Sequence, residues 1–278
     1  MQAETIPLRE ARLDIQDGIA EFTHTRPERR NPLSLDLRQD YIDLLNRVES
    51  DAAIRALIIT GSGGVFCSGG DLRGLKERID HPQAPEHAPD AMRRRLLGVH
   101  GWLGRLRNLE IPVIAAVDGP AVGAGMGLVL VADFVLASAR AHFGMSFARV
   151  GLVPDMGAAY FLPRVVGMAM AKDMMMTARR VGVEEAKDLG IVHSVYAPEA
   201  LADQARRFAR RFVAGPAQAL GPTKRMLNGS FETSYAAFVE LEANAQAVAT
   251  TTAYHAEALQ RFAGGQPLRF DWDRAATE

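Results

Sequence analysis

Two glycine-bearing loops, each launched by an apolar strand, constrain this chain more than any other feature. The first is Phe66-Cys67-Ser68-Gly69-Gly70-Asp71-Leu72, after the run Ala56-Leu57-Ile58-Ile59-Thr60. The second is Gly119-Pro120-Ala121-Val122-Gly123-Ala124-Gly125-Met126-Gly127, after Pro112-Val113-Ile114-Ala115-Ala116-Val117. Glycine lets a backbone turn tightly and lets another backbone or a ligand come close. Two such loops at the ends of buried strands can aim free backbone N–H groups at one point, and an anionic oxygen is the natural occupant of that point. An enzyme that stabilises an oxyanion is therefore the first expectation.

The flanking pattern is that of an α/β protein. Ala11 to Ile15 and Ile19 to His24 predict a hairpin around Asp17-Gly18. Ser34 reads as a helix N-cap, and Leu37, Tyr41, Leu44, Leu45 and Val48 follow it at helical spacing. Asp80 to Asp90, with Pro82, Pro85 and Pro89, predicts a mobile loop. Met92, Leu96, Val99, Leu103 and Leu106 mark the next helix, Gly125 to Val131 another, and Phe134 to Ala137 a strand. This alternation over residues 1–197 argues for one α/β body. From Pro198 the pattern turns all-helical. Leu201, Ala205, Phe208 and Phe212 share one face, and further helical stretches cover about 217–227 and 231–262. Residues 198–278 are expected to pack on the α/β body or on a partner subunit.

Several function classes are excluded by composition. The net charge is −1, so no electrostatic pull toward nucleic acid or a membrane surface is expected. The longest apolar run, Met126 to Ala132, is far short of a membrane span. Cys67 is the single cysteine, which rules out an internal disulfide. With no charged leader followed by an apolar stretch, this predicts a reducing, cytoplasmic setting.

Other motifs fail on inspection. Gly123-Ala124-Gly125-Met126-Gly127 lacks the third small residue of a dinucleotide fingerprint, since Leu128 stands there, and the position about twenty residues on is Phe147 rather than an acid. Gly144-Met145-Ser146-Phe147-Ala148 echoes a nucleophile elbow but ends on alanine. The seven histidines are scattered without metal-ligand spacing, so no metal site is expected. Cys67 reads as a small buried residue, with no histidine near it in sequence to activate a thiol. Asp133 reads as a structural hydrogen-bonding acid. Asp155, in the apolar loop Gly151-Leu152-Val153-Pro154-Asp155-Met156-Gly157, admits two local readings: an N-cap for a helix from Met156 to about Leu162, or an acid/base group.

Taken together, the segments resemble the crotonase family, the enoyl-CoA hydratase/isomerase superfamily. Arg26-Pro27-Glu28-Arg29-Arg30-Asn31-Pro32-Leu33, both glycine loops, Gly151-Leu152-Val153-Pro154-Asp155, Leu162-Pro163-Arg164, Glu184-Glu185-Ala186 and Leu189-Gly190-Ile191-Val192 occur in the family's order over almost the whole chain. The resemblance implies a spiral of ββα units with a C-terminal helical trimerisation region, hence a homotrimer or homohexamer. It implies an acyl-CoA thioester as substrate, in fatty acid or aromatic acyl metabolism, and no cofactor beyond the coenzyme A of that substrate. The family's two oxyanion donors fall on the Gly70 and Ala124 N–H groups. Arg73, with Cys67 and Gly69, falls on the coenzyme A side, although Arg73 also suits a solvated surface.

The departures are as informative as the matches. The two glutamates with which hydratases of this family activate water align with Gly127 and Phe147, which cannot carry protons. Asp155 is similar to the aspartate of family isomerases, among them ring-opening phenylacetate-pathway isomerases, and to a nucleophile position in aroyl-CoA dehalogenases. The resemblance thus favours double-bond isomerisation with Asp155 as acid and base. A hydratase with a rearranged site, a thioester hydrolase or a non-catalytic acyl-CoA binding protein are the alternatives. The stretch Leu75 to Leu97 is expected to shape the acyl pocket.

Overall fold

The computed structural model describes residues 3–81 and 83–272. Pro82, within the expected loop, and residues 273–278, at the end of the helical region, lie outside them.

The chain opens with β1 (Glu4–Pro7), β2 (Ala11–Gln16) and β3 (Ile19–His24), paired antiparallel. Asp17 and Gly18 both adopt positive φ, as a two-residue hairpin requires. The helix α1 (Leu35–Glu49) begins at Ser34, whose hydroxyl accepts the Leu37 N–H at 3.1 Å. The five apolar positions read as its face are all buried. Next come β4 (Ala56–Gly61), α2 (Leu72–Asp80), α3 (Pro89–Arg107) and β5 (Val113–Val117). The expected proline-rich loop is shorter than its composition suggests. A single helical turn covers Pro85–His87, and Pro89 already opens α3, because proline fits the first turn of a helix.

The second half holds β6 (Pro120–Val122), α4 (Ala124–Val131), β7 (Phe134–Ser138), β8 (His142–Gly144), α5 (Ala158–Thr177), β9 (Arg180–Gly182), α6 (Val183–Asp188) and β10 (Ser194–Tyr196). The larger sheet runs β1-β2-β3-β4-β5-β7-β10, with every pair from β3 onward parallel. A three-stranded sheet, β6-β8-β9, stands apart from it. Each turn of chain therefore leaves the large sheet after β5 or β7, adds a short strand to the small sheet and returns. The second glycine loop sits where that exchange happens, and the first, after β4, joins it through a bridge between Cys67 and Ala121. The α5 helix breaks at Gly167, whose φ of 77° and ψ of 159° only glycine adopts readily.

The helical end is α7 (Leu201–Val213), α8 (Ala217–Gly229), α9 (Tyr235–Thr250) and α10 (Ala253–Ala263). The single stretch expected over 231–262 is two helices, because α9 closes on Thr251 and Thr252 caps the next by accepting the His255 N–H at 3.2 Å. The α7 helix buries Leu201, Ala205, Phe208 and Phe212 against Ile58, Ile114 and Leu136 of the sheet. Leu201, Phe208 and Phe212 each contribute roughly 2 kcal/mol, so α7 is part of the body. Lys224 ties α8 to the sheet through Asp133 at 2.7 Å and the Ile111 carbonyl at 3.1 Å. Asp133 also accepts the Val113 N–H at 2.7 Å, the structural role expected of it. By contrast α9 and α10 bury no residue, and Phe231, Tyr235, Val248 and Phe262 are left exposed.

Candidate active site

The first glycine loop is held from beneath by buried polar groups. Asn31, in a left-handed conformation, donates to the Ser62 and Val65 carbonyls at 3.1 and 2.6 Å and accepts the Arg26 N–H at 2.8 Å. Glu10, also buried, accepts from Ser34 Oγ and from Arg29 at 3.1 Å, while Arg29 reaches Asp71 at 2.8 Å. Asp71 in turn caps α2 by accepting the Arg73 N–H at 3.0 Å. These contacts give the Arg-Pro-Glu-x-x-Asn segment its purpose, which is to fix the loop.

A second support comes from His24 on β3. Its Nδ1 lies 2.9 Å from the Phe66 carbonyl and its Nε2 lies 2.9 Å from the Tyr41 hydroxyl. A carbonyl can only accept, so Nδ1 carries the proton and donates, and Nε2 accepts from Tyr41 O–H. The ring is fully buried, and burial pulls its pKa down to about 4. Tyr41 stacks on Trp102 of α3, with ring centroids 4.8 Å apart. The residue preceding Cys67 is thus pinned by a neutral histidine.

The two loops then pair with each other. Cys67 N–H donates to the Pro120 carbonyl at 3.1 Å and Val122 N–H donates to the Cys67 carbonyl at 3.0 Å. Gly69 has a φ of 103°, and a side chain there would press to 2.9 Å from the Val122 carbonyl, so only glycine permits the approach. Gly123 has a φ of 57° and donates to the Gly144 carbonyl at 2.8 Å. After each left-handed glycine comes a residue whose N–H makes no hydrogen bond among the described residues: Gly70 in one loop, Ala124 in the other. Ala124 is the first residue of α4, where the helix dipole adds positive potential. Gly70 faces open space. Unpaired backbone N–H groups are of the kind that accept an anionic oxygen.

The acid expected nearby is present, and it is no cap. The α5 helix starts at Ala158, with Gly157 as its cap residue and no side-chain capping bond. Asp155 precedes Met156, whose φ of 55° turns the chain away from helix before α5 begins. The carboxyl is half-buried, and its Oδ1 is sealed from solvent without a hydrogen-bond partner. Burial raises its pKa above the ordinary carboxylate value, while the charges of Arg38, His100 and Arg95 oppose that rise.

Gly127 and Phe147 complete the surroundings. A side chain on Gly127 would lie 2.4 Å from Met156 Cβ, so Met156 occupies the space that a larger residue at 127 would need. Phe147 is buried, with its ring 3.9 Å from where a side chain on Gly123 would stand. Among the described residues no group of three or more His, Cys, Asp or Glu is placed to hold a metal.

Of the positions read on the coenzyme A side, Cys67 has both backbone groups engaged and its thiol fully buried, with a pKa pushed up to about 11 by burial. It offers no free group to a ligand and serves to join the loops. The Gly69 carbonyl is taken by the Leu33 N–H at 2.7 Å. Arg73 is exposed on the first turn of α2. His24 and Arg38 are the residues that pattern reading missed.

Comparison with known proteins places these features in context. The family model described as enoyl-CoA hydratase/isomerase matches residues 14–273. A protein of Escherichia coli (strain K12) named 1,2-epoxyphenylacetyl-CoA isomerase is 34% identical over 256 residues, spanning 92% of this chain and 96% of that protein. A probable enoyl-CoA hydratase of Rhodobacter capsulatus is 34% identical over 262 residues, spanning 93% and 96%. The crystal structure of an enoyl-CoA hydratase/isomerase from Cupriavidus metallidurans CH34 superposes with a TM-score of 0.90 at 38% identity, covering 95% of this chain and 97% of that one.

Proposed function

The chain belongs to the enoyl-CoA hydratase/isomerase family and is an enzyme acting on acyl-CoA, and from that premise we propose that it is an acyl-CoA isomerase which shifts a double bond next to or near the thioester. Asp155, as the carboxylate, removes a proton from the carbon alpha to the thioester carbonyl. The electron pair moves onto the carbonyl oxygen, and the Gly70 and Ala124 N–H groups hold the resulting enolate. Asp155 then returns the proton to a more distant carbon. The thioester is its own electron sink, so the step calls for no metal or redox cofactor. Exposed Arg73, on the first turn of α2, supports contact with a coenzyme A phosphate.

The observation that carries this reading is the half-buried carboxyl of Asp155, whose Oδ1 is sealed without a partner among the described residues, in a chain whose positions 127 and 147 bear no proton carrier. Burial makes Asp155 a stronger base than a solvated aspartate. The buried Met126, Phe147 and Met156 keep water from competing for the proton. Two-glutamate hydration has no residues to perform it, and Met156 leaves no room to restore one of them. The exposed apolar side chains of α8 to α10 support assembly as a homotrimer or homohexamer.

A panel of 2-enoyl-, 3-enoyl- and ring-bearing coenzyme A thioesters, followed by mass and absorbance, tests the proposal. Isomerisation changes the absorbance at constant mass. Addition of water or release of free coenzyme A would instead favour a hydratase or a hydrolase, and binding without turnover a non-catalytic protein.

A further inference from the structure

We propose that the acyl group taken by this site carries a carboxylate of its own, received by the guanidinium of Arg38; this rests on the acyl-CoA assignment above. Arg38 lies four residues past Ser34 on α1. The start of that helix is fixed beside the first glycine loop, since Leu33 N–H donates to the Gly69 carbonyl at 2.7 Å and Leu33 pairs with Gly70. Asp155 approaches from the side of α4, where Met156 packs on Gly127. Both side chains carry an orphan. Arg38 Nε and Asp155 Oδ1 are each sealed from solvent, and neither has a hydrogen-bond partner among the described residues.

The two side chains act on each other electrostatically without meeting in an ion pair. From α3, exposed Arg95 acts on both of them and exposed His100 on Asp155. Among the described residues, Asp155 is the carboxylate that acts on Arg38. A guanidinium N–H withdrawn from water with no partner is costly. Two guanidiniums act on one carboxylate, which leaves a place for a second anion. Arginine's planar fork matches a carboxylate. The phosphates of coenzyme A lie at the far end of the pantetheine arm from the reacting carbons, so the anion that fits beside Asp155 belongs to the acyl group. Its arrival would also cancel the positive field that opposes protonation of Asp155, making the base stronger when the correct substrate is bound.

Unreactive saturated thioesters separate this proposal from the isomerase reading. Calorimetry compares succinyl-, glutaryl- and adipoyl-CoA with butyryl-, pentanoyl- and hexanoyl-CoA, on the unmodified protein and on Arg38→Gln. At least one carboxylated ligand is expected to bind about tenfold or more tighter than its neutral partner. Arg38→Gln should erase that preference and leave the neutral ligands within about twofold. No preference in any pair, measured on the unmodified protein, overturns the proposal, as does a preference that survives in a folded Arg38→Gln. Isomerisation of neutral enoyl thioesters without carboxylate preference would sink this proposal and spare the isomerase reading. Carboxylate preference without isomerisation would do the reverse.

Discussion

His24 gives the fold a pH dependence whose size follows from its burial. The ring is neutral in the folded chain, with its pKa depressed to about 4 from an ordinary 6.5. In the unfolded chain it takes up a proton near 6.5. Above that pH both states are neutral and His24 adds no pH dependence. As pH falls below 6.5 the unfolded state binds a proton that the folded state refuses, so stability is lost progressively and the loss levels off below about 4. At roughly 1.36 kcal/mol per pH unit the full loss is about 3 kcal/mol, and about 2 kcal/mol of it falls between pH 7 and 5. His24→Gln removes the titration while keeping a donor for the Phe66 carbonyl and an acceptor for Tyr41. Urea denaturation of both proteins at pH 7 and pH 5 isolates the contribution. The variant should start less stable and lose about 2 kcal/mol less on acidification. Equal losses in the two proteins would refute the assignment of a neutral, buried His24 beneath the loop.

Gly127→Ala should destabilise the chain by about 1–3 kcal/mol despite alanine's better helix propensity, because its Cβ would stand 2.4 Å from Met156 Cβ. Met156→Gly relieves that contact and suits the left-handed backbone at 156, so a double-mutant cycle in thermal unfolding should be non-additive; additivity within about 0.5 kcal/mol would refute the contact. Ala124→Pro places proline at the first helical position, where it is tolerated, and deletes one proposed oxyanion donor. Circular dichroism should be preserved while turnover falls about 10²–10³-fold, and a parent-like rate would remove Ala124 from the mechanism. Sedimentation at micromolar concentration should give a trimer or hexamer; a lone monomer would leave the exposed faces of α9 and α10 without their expected cover.

Local sequence announced whatever depended on local chemistry. Asp17-Gly18 specified its hairpin, Ser34 its helix start, and the glycines at 69 and 123 the two left-handed turns that bring the loops together. Relations between distant segments were silent. His24, Tyr41 and Phe66 each read as an ordinary residue of a strand, a helix face and a loop, and only the fold makes them one hydrogen-bonded chain. Arg38 sits one position past buried Leu37 and reads as the polar edge of an amphipathic helix; only the fold seals its Nε without a partner. Asp155 looked like a cap because Asp often is one. The left-handed Met156 and Gly157 delay the helix and release the carboxyl, and nothing in methionine's preferences announces such a turn. The break at Thr251-Thr252 was missed because apolar spacing continues across it while Thr252 restarts the helix with its own cap.

The account depends most on Asp155 as the group that carries the proton. Incubating the protein and Asp155→Asn with an enoyl-CoA thioester in deuterated water, and reading deuterium at the alpha carbon, tests that directly. Asparagine keeps the shape of the side chain, and no capping bond is lost because Asp155 makes none. The unmodified protein should incorporate deuterium, and Asp155→Asn should lose both exchange and turnover by about two to four orders of magnitude while still binding the thioester. A folded Asp155→Asn that exchanged the alpha proton at the parent rate would contradict the mechanism.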